Sequence, residues 1–261
     1  MSSVLVFYKG ELMKRGFVRG LWGSFDVTNR LTARRFNVAN DILNIKNNKF
    51  NERFVTYVMG VDNFKILNDL GIEDVVLIDK EPFRFDLTAH QYRNKIEVIA
   101  HAFLNDGYDE LVYLDWDCVP QKKLPNDFWT ELGKREMFQA NLQAYKKNKI
   151  TWRQTDNQII PNGGFLYLRN KSICELAIEK WEPIGKPVND EVVWASITDD
   201  MVGGWKGRET YKNIFESMYS NLHKSSPFQK DWLNSKDVCF VHYQGGGTKI
   251  PADFVNAKNN G

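Results

Sequence analysis

An α/β fold, with a mostly parallel sheet flanked by helices, is predicted by three features of the chain. Short apolar runs alternate with helical patterns through the first half, as expected of strands joined by crossover helices. The runs are continuously hydrophobic, which suits strands covered on both faces rather than one. The segments between them carry apolar residues at three- and four-residue spacing, the helical period.

Taken in order, residues 4–8 (VLVFY) read as the first strand and residues 29–45 as a helix. Residues 54–59 (FVTYVM) form the second strand, 63–70 a helix with Gly71 as its stop, and 74–79 (DVVLID) the third strand. A longer helix over 87–105 follows, in which Ile96, Ile99, Ala100, Phe103 and Leu104 mark one face and Gly107 comes near the end. Residues 111–114 (LVYL) are the fourth strand. In the less regular second half, MFQAN, GGFLYL and VCFVHY (238–243) read as strands, and SICELAIEKW and DEVVWASI as helices. From Gly245 onward the composition predicts a loop and a loosely ordered tail. No repeat, low-complexity tract or linker divides the chain, so one compact domain is expected.

Composition excludes several classes. A chain of 261 residues can bury one substantial core. With 43% hydrophobic residues and eight Trp, global disorder is excluded. Three widely spaced cysteines, Cys118, Cys174 and Cys239, form no zinc or redox motif and imply reduced thiols and a cytoplasmic address. No secretion-signal pattern opens the chain, and no stretch approaches a membrane span. The net charge of +2 conceals a basic first quarter, with ten Lys and Arg against four acids in residues 1–60. That excess suits a polyanionic or phosphate-bearing partner, and equally a solvated face.

Two segments carry chemistry. In LVYLDWDCVP (111–120), Asp115 and Asp117 stand directly behind an apolar strand, at the end where ligands of open α/β sheets bind. Side chains two apart in extended chain share a face, so both carboxylates can approach one hard cation. The same spacing also fits a turn in which the Asp side chains bond local amides. In VCFVHYQGGGTKIP (238–251), His242 closes an apolar run ahead of Gly245, Gly246, Gly247 and Lys249. His242 fits a structural hydrogen-bonder or a metal ligand. The glycines and Lys249 fit an anion cradle or an exposed loop.

Together these segments resemble the glycosyltransferase A-type (GT-A) fold, and within it the retaining glycogenin and galactosyltransferase-like enzymes. ELVYLDWDCVPQKKL is similar to the family's strand ending in Asp-x-Asp, and VHYQGGGTKI to its late His followed by Gly and Lys, without the usual Lys-Pro-Trp. QYRNKI supplies Arg93 and Lys95 where the family carries a basic residue contacting the donor or bracing the first Asp. PNGGFLYLRN places Asn162, Gly163 and Gly164 where it lines the sugar pocket; a plain hairpin turn is the alternative there. VNDEVVWAS puts Asp190 and Glu191 where an acidic pair faces the reacting sugar, although acids in a first helical turn are also ordinary capping.

The resemblance implies a Rossmann-like central mixed, mostly parallel sheet, with a nucleotide-binding half over about 1–118, an acceptor and sugar half over about 119–247, and a tail over 248–261. It implies a nucleotide-sugar donor, UDP-linked, and Mn2+ or Mg2+ held by Asp115, Asp117 and His242. Asp190 and Glu191 would be catalytic, with Gly245 and Lys249 at the phosphates; Phe7 and Tyr8 would border base and ribose, or else belong to the core. The acceptor is a glycan or other hydroxyl, or a hydroxymethylated DNA base as in bacteriophage DNA modification. The segments QKK (121–123) and YKKNK (145–149) could track a phosphate backbone. Two other classes compete: a nucleotidyltransferase, which needs a glycine-rich phosphate loop of which YKGELMKRG is a poor version, and a nucleotide-sugar-binding protein without activity.

Overall fold

The computed structural model describes residues 5–8, 11–22, 50, 52, 54–69, 71–81, 92–115, 118–120, 123–141, 143–146, 149–152, 154–155, 158–159, 161–181, 190, 193–194, 197, 219–221 and 239–242. The helix expected over 29–45, the start of the one over 87–105 and the tail lie outside these residues.

The strands are β1 (Leu5–Tyr8), β2 (Glu11–Leu21), β3 (Phe54–Met59), β4 (Val75–Ile78), β5 (Glu110–Leu114), β6 (Cys118–Pro120) and β7 (Met137–Asn141). They continue with β8 (Gln143–Lys146), β9 (Lys149–Trp152), β10 (Gln154–Thr155), β11 (Gln158–Ile159), β12 (Pro161–Leu168), β13 (Tyr219–Asn221) and β14 (Phe240–His242). Four helices are described: α1 (Val61–Asp69), α2 (Arg93–Leu104), α3 (Phe128–Leu132) and α4 (Ser172–Trp181). Asp190, Val193, Trp194 and Ile197 are also helical, in the segment expected to be so.

The central sheet runs β4-β3-β2-β5-β12-β7, with β1 attached to β2. β2, β3, β4 and β5 are mutually parallel, and β12 enters antiparallel between β5 and β7. This is the mixed, mostly parallel sheet with flanking helices that the sequence predicts. After β2 the chain steps outward through β3 to β4 and then returns to place β5 on the other side of β2. The order therefore reverses between β2 and β5, and the carboxyl ends of those two strands form the switch point where open α/β sheets bind ligands.

One expectation is corrected here. β1 is not a parallel strand of the sheet but an antiparallel arm on the amino-terminal part of β2, with Leu5 opposite Lys14 and Tyr8 opposite Glu11. The central strand is β2, which escapes a search for apolar runs because Glu11, Lys14 and Arg15 interrupt it. The two cations are used at the sheet's amino end, where the Lys14 ammonium donates to the Asp106 carbonyl at 2.5 Å and Arg15 pairs with Glu110 at 3.8 Å. The chain reverses between Tyr8 and Glu11, so YKGE is a hairpin and not a phosphate loop.

Strand periodicity divides the core between the two faces of the sheet. Val18, Leu111, Tyr113, Leu166 and Leu168 pack on one side with α2, α4 and Trp194. Phe17, Val112, Leu114, Phe165 and Tyr167 pack on the other with α3, Cys118, Cys239 and Phe240. Phe17 centres this second layer, with ring centroids of Phe50, Trp129, Phe240 and Phe128 between 5.0 and 5.9 Å away. Helix α1 ends as its sequence dictates. Gly71 takes φ +73°, and the amides of Gly71 and Ile72 donate to the carbonyls of Asn68 and Leu67, the paired bonds of a Schellman stop.

All three cysteines are free and buried, and burial pushes the Cys174 thiol up to about 12. The folded protein is therefore expected to react with a thiol-specific chromogenic disulfide only after denaturant is added, three thiols then titrating per chain. Rapid labelling of the native protein would contradict the packing described. No helix among the described residues is long and apolar enough to cross a membrane.

Candidate functional site

The site grows from the end of β5. Asp115 follows the strand directly, its amide donating to the Gly164 carbonyl at 3.1 Å, and the Cys118 amide donates back to the Asp115 carbonyl at 2.9 Å. That turn delivers the chain into β6, which pairs antiparallel with β14 so that His242 stands opposite Cys118. β14 in turn pairs with β13, Asn221 opposite His242. The register thus brings the late His onto the strand adjoining the Asp-x-Asp segment. Asp117, Glu191, Gly245 and Lys249 lie outside the described residues, and of Asn162 and His242 the backbone alone is described.

Lys95, on the first turn of α2, holds the described part of the site together. Its ammonium lies 3.0 Å from Asp115 Oδ1 and 2.9 Å from Asp190 Oδ2, and donates to the Gly163 carbonyl at 2.9 Å. Two carboxylates, as ion pairs, and one carbonyl thus surround the ammonium. The Tyr113 ring centroid lies 5.2 Å away, adding a cation–π contact. A cation on the first turn of a helix is disfavoured by the helix dipole, so this one is held by its partners and not by its element. Burial opposes its charge, but Asp115 and Asp190 outweigh that and keep the ammonium well above the ordinary lysine range. Asp190 is pushed up by burial, with Asp115 adding to the shift and Lys95 opposing it. The two carboxylates differ in access: the Asp115 side chain is 28% exposed, and that of Asp190 is 2% exposed.

Arg93, the other basic residue of QYRNKI, turns away from this cluster. Its Nε pairs with Glu97 at 2.9 Å, and its Nη1 donates to the Ile178 carbonyl of α4 at 3.5 Å.

Asn162, Gly163 and Gly164 do not form a hairpin turn. They lie within β12, where its pairing with β7 shifts register between Pro161 and Leu166. Pro161 stands opposite Asn141 and Leu166 opposite Gln139, so the intervening residues of β12 bulge away from β7. Bulges redirect backbone groups beside functional sites, and here the carbonyls of Gly163 and Gly164 reach Lys95 and Asp115.

Phe7 and Tyr8 are not at this end of the sheet. They stand opposite Leu12 and Glu11 at the start of β2, whereas the register of β2 with β5 places Gly20 level with Asp115. At about 3.3 Å per residue the separation is roughly 30 Å, so the expectation that Phe7 and Tyr8 border a nucleotide at this site is corrected. The end of β2 supplies Arg19, Gly20 and Trp22 instead. Arg19 is buried, donates from Nε to Thr56 Oγ1 at 2.9 Å, and lies 4.8 Å from the Phe54 ring centroid. Burial lowers its guanidinium to about 9. The adjacent apolar pair Phe17 and Val18 is the available signal for this strand.

Gly20 is a close-approach position. A Cβ there would lie 2.5 Å from the Trp22 ring and 2.8 Å from Val98 Cγ2. Gly20→Ala is expected to cost about 1–3 kcal/mol by overpacking, read as a lower urea midpoint with an unchanged slope.

Among the described residues no three His, Cys, Asp or Glu side chains cluster as a ready metal centre. Of the three residues expected to hold a metal, Asp115 is described with its side chain, His242 by its backbone alone, and Asp117 lies outside the described residues; two aspartates and a histidine are a donor set of the type that accepts a hard or borderline divalent cation. Partly exposed Asp115 is the described carboxylate able to present oxygen outward.

No protein-family model and no curated protein sequence matches the chain. Among solved structures, an active-site mutant of LgtC is similar over 94% of this chain and 95% of its own, with 13% identity and a TM-score of 0.50. A glycosyltransferase involved in glycosylation of the major capsid of PBCV-1 aligns over 95% of this chain and 99% of its own, at 11% identity and TM-score 0.41. GlyE of Streptococcus pneumoniae TIGR4 aligns over 88% of this chain and 55% of its own, at 17% identity and TM-score 0.42. The likeness to LgtC, together with the sheet order above, gives the chain the fold of the GT-A glycosyltransferases.

Proposed function

We propose that the chain is a metal-dependent glycosyltransferase that moves a sugar from a nucleotide-sugar donor, UDP-linked, to an acceptor hydroxyl with retention of configuration. The observation that carries this reading is the convergence, at the switch point of the sheet, of Asp115 and Asp190 on one buried ammonium, with the strand of His242 paired to the strand that follows Asp115. A structural capping role for Asp190 would not require it to be bound, deep in the protein, to the same lysine as the residue opening the Asp-x-Asp segment.

In this reading Asp115, Asp117 and His242 hold Mn2+, or Mg2+. When bound, the cation supplies Lewis-acid stabilisation to the diphosphate leaving group. Lys95 fixes the Asp115 carboxylate from behind, through Oδ1, so that its orientation is set before donor arrives. Gly245 and Lys249 offer an amide cradle and a point charge to the phosphates. Asn162, Gly163 and Gly164 line the sugar. Because Asp190 is buried against Lys95, Glu191 is the member of the acidic pair assigned to face the reacting carbon and stabilise its oxocarbenium character. Arg93 supports the helix through Glu97 and makes no donor contact.

The test is a thermal-shift panel of nucleotide sugars with and without Mn2+. A ligand at 100 times its dissociation constant stabilises the folded state by about 2.7 kcal/mol, a shift of several degrees. One UDP-sugar is expected to raise the melting temperature, and only when Mn2+ is present. A panel with no metal-dependent shift would overturn the reading.

A further inference from the structure

The segment between β7 and β12 is not needed to build the sheet, and it carries an unusual charge. Residues 142–160 hold Lys146, Lys147, Lys149 and Arg153 against one acid, Asp156, in a chain whose net charge is only +2. They form two successive ribbons, β8 with β9 and β10 with β11. Both leave the sheet where Asn141 stands opposite Pro161, beside the bulge whose Gly163 carbonyl takes the Lys95 ammonium. β8 also approaches β13, the strand paired with the one bearing His242. The first ribbon therefore stands at the rim of the site.

Its register is informative. Lys146 stands directly opposite Lys149 at the tip, with Lys147 between them in sequence. Like charges directly opposite one another destabilise a ribbon, and an anion lying against them removes that penalty. Behind the tip, Tyr145 is opposite Ile150 and Gln143 opposite Trp152. Period-2 alternation puts the Tyr145, Ile150 and Trp152 positions on one face and the Lys146 and Lys149 positions on the other. The two faces therefore offer separate contacts to one strand lying over the ribbon's edge, cationic positions for its phosphates on one and aromatic positions for its bases on the other. A neutral glycan has no use for the three lysines.

We propose that the β8–β9 ribbon docks a single-stranded or locally unpaired nucleic acid, whose nucleotide is presented to the site as the acceptor. This rests on the transferase reading for its purpose, but its binding test does not. The test is fluorescence anisotropy of a single-stranded oligonucleotide of about 20 nucleotides, with salt varied from about 50 to 200 mM. The wild-type protein is expected to bind with an affinity that falls steeply with salt. A Lys146→Glu, Lys149→Glu double variant is expected to bind at least about tenfold more weakly, with a salt slope flatter by about 1.4, two contacts at ~0.7 each. Trp152→Ala should weaken binding about tenfold while leaving the slope unchanged. All variants should keep the wild-type melting temperature and its nucleotide-sugar shift. No oligonucleotide binding at low salt, equal binding by the double variant, or sedimentation with anionic vesicles in place of oligonucleotide binding would each overturn the proposal. Oligonucleotide binding without any nucleotide-sugar shift would leave this proposal standing and remove the transferase one.

Discussion

Lys95→Met is expected to destabilise the protein by about 3–5 kcal/mol and to abolish metal-dependent donor binding. The ammonium is the common partner of Asp115 and Asp190, and the Asp190 side chain is 2% exposed. Removing one partner of a buried ionic cluster leaves the other charge uncompensated, which costs far more than the cluster itself contributes. The effect also has a pH signature. Burial raises the Asp190 carboxyl in the folded state, and without Lys95 it rises further. A carboxyl whose folded value exceeds its unfolded value binds more protons when folded, so stability falls as pH rises between the two values. The penalty of Lys95→Met should therefore grow as pH rises above the ordinary aspartate range, as measured by urea unfolding. A penalty below about 1 kcal/mol, or one independent of pH, would show that the cluster is held some other way. Lys95→Arg keeps the charge but not the compact ammonium, and is expected to retain stability better than metal-dependent binding.

Asp117→Ala is expected to reduce donor hydrolysis and transfer by about 1,000-fold while leaving the melting temperature of the unliganded protein within about 1 °C. The expected loss corresponds to the several kcal/mol that a bound divalent cation contributes to a developing phosphate charge. Full activity in this variant, with Mn2+ titrated to saturation, would remove Asp117 from the metal-binding set. Lys95→Met acts on folding as well as function, and Asp117→Ala on function alone. Comparing the two separates the support of the site from its chemistry.

The parts of the fold legible in the sequence are those with an uninterrupted local pattern. β3 is bounded by its apolar run, α4 by its helical spacing, and the stop of α1 by Gly71, because each depends on neighbours close in the chain. β2 is hidden because its amino-terminal half satisfies the Lys14 and Arg15 side chains with partners more than 90 residues later, at Asp106 and Glu110, and no local pattern announces that. The same reason explains the misplacement of Phe7 and Tyr8. At the site, the Asp-x-Asp segment and His242 are visible as residues, but their adjacency comes from the antiparallel β6–β14 pairing. Choosing Lys95 over Arg93 needs three dimensions. Two residues apart on a helix, they point to different neighbours, one inward to Asp115 and the other to Glu97 and α4. The glycines of PNGG are visible too, but not their place in a bulge.

That bulge separates two kinds of constraint. From Phe165 onward β12 is locked to β5 and its parity is dictated by the buried layers, whereas at Pro161 it answers only to Asn141. Between these two points the chain is held by the Gly163 and Gly164 carbonyls and not by register with β7, so the ribbons emerging there can lengthen, shorten or change composition without transmitting a one-residue slip into the packed interior. Evolution could accordingly retool what this protein grips while the machinery beneath stays untouched.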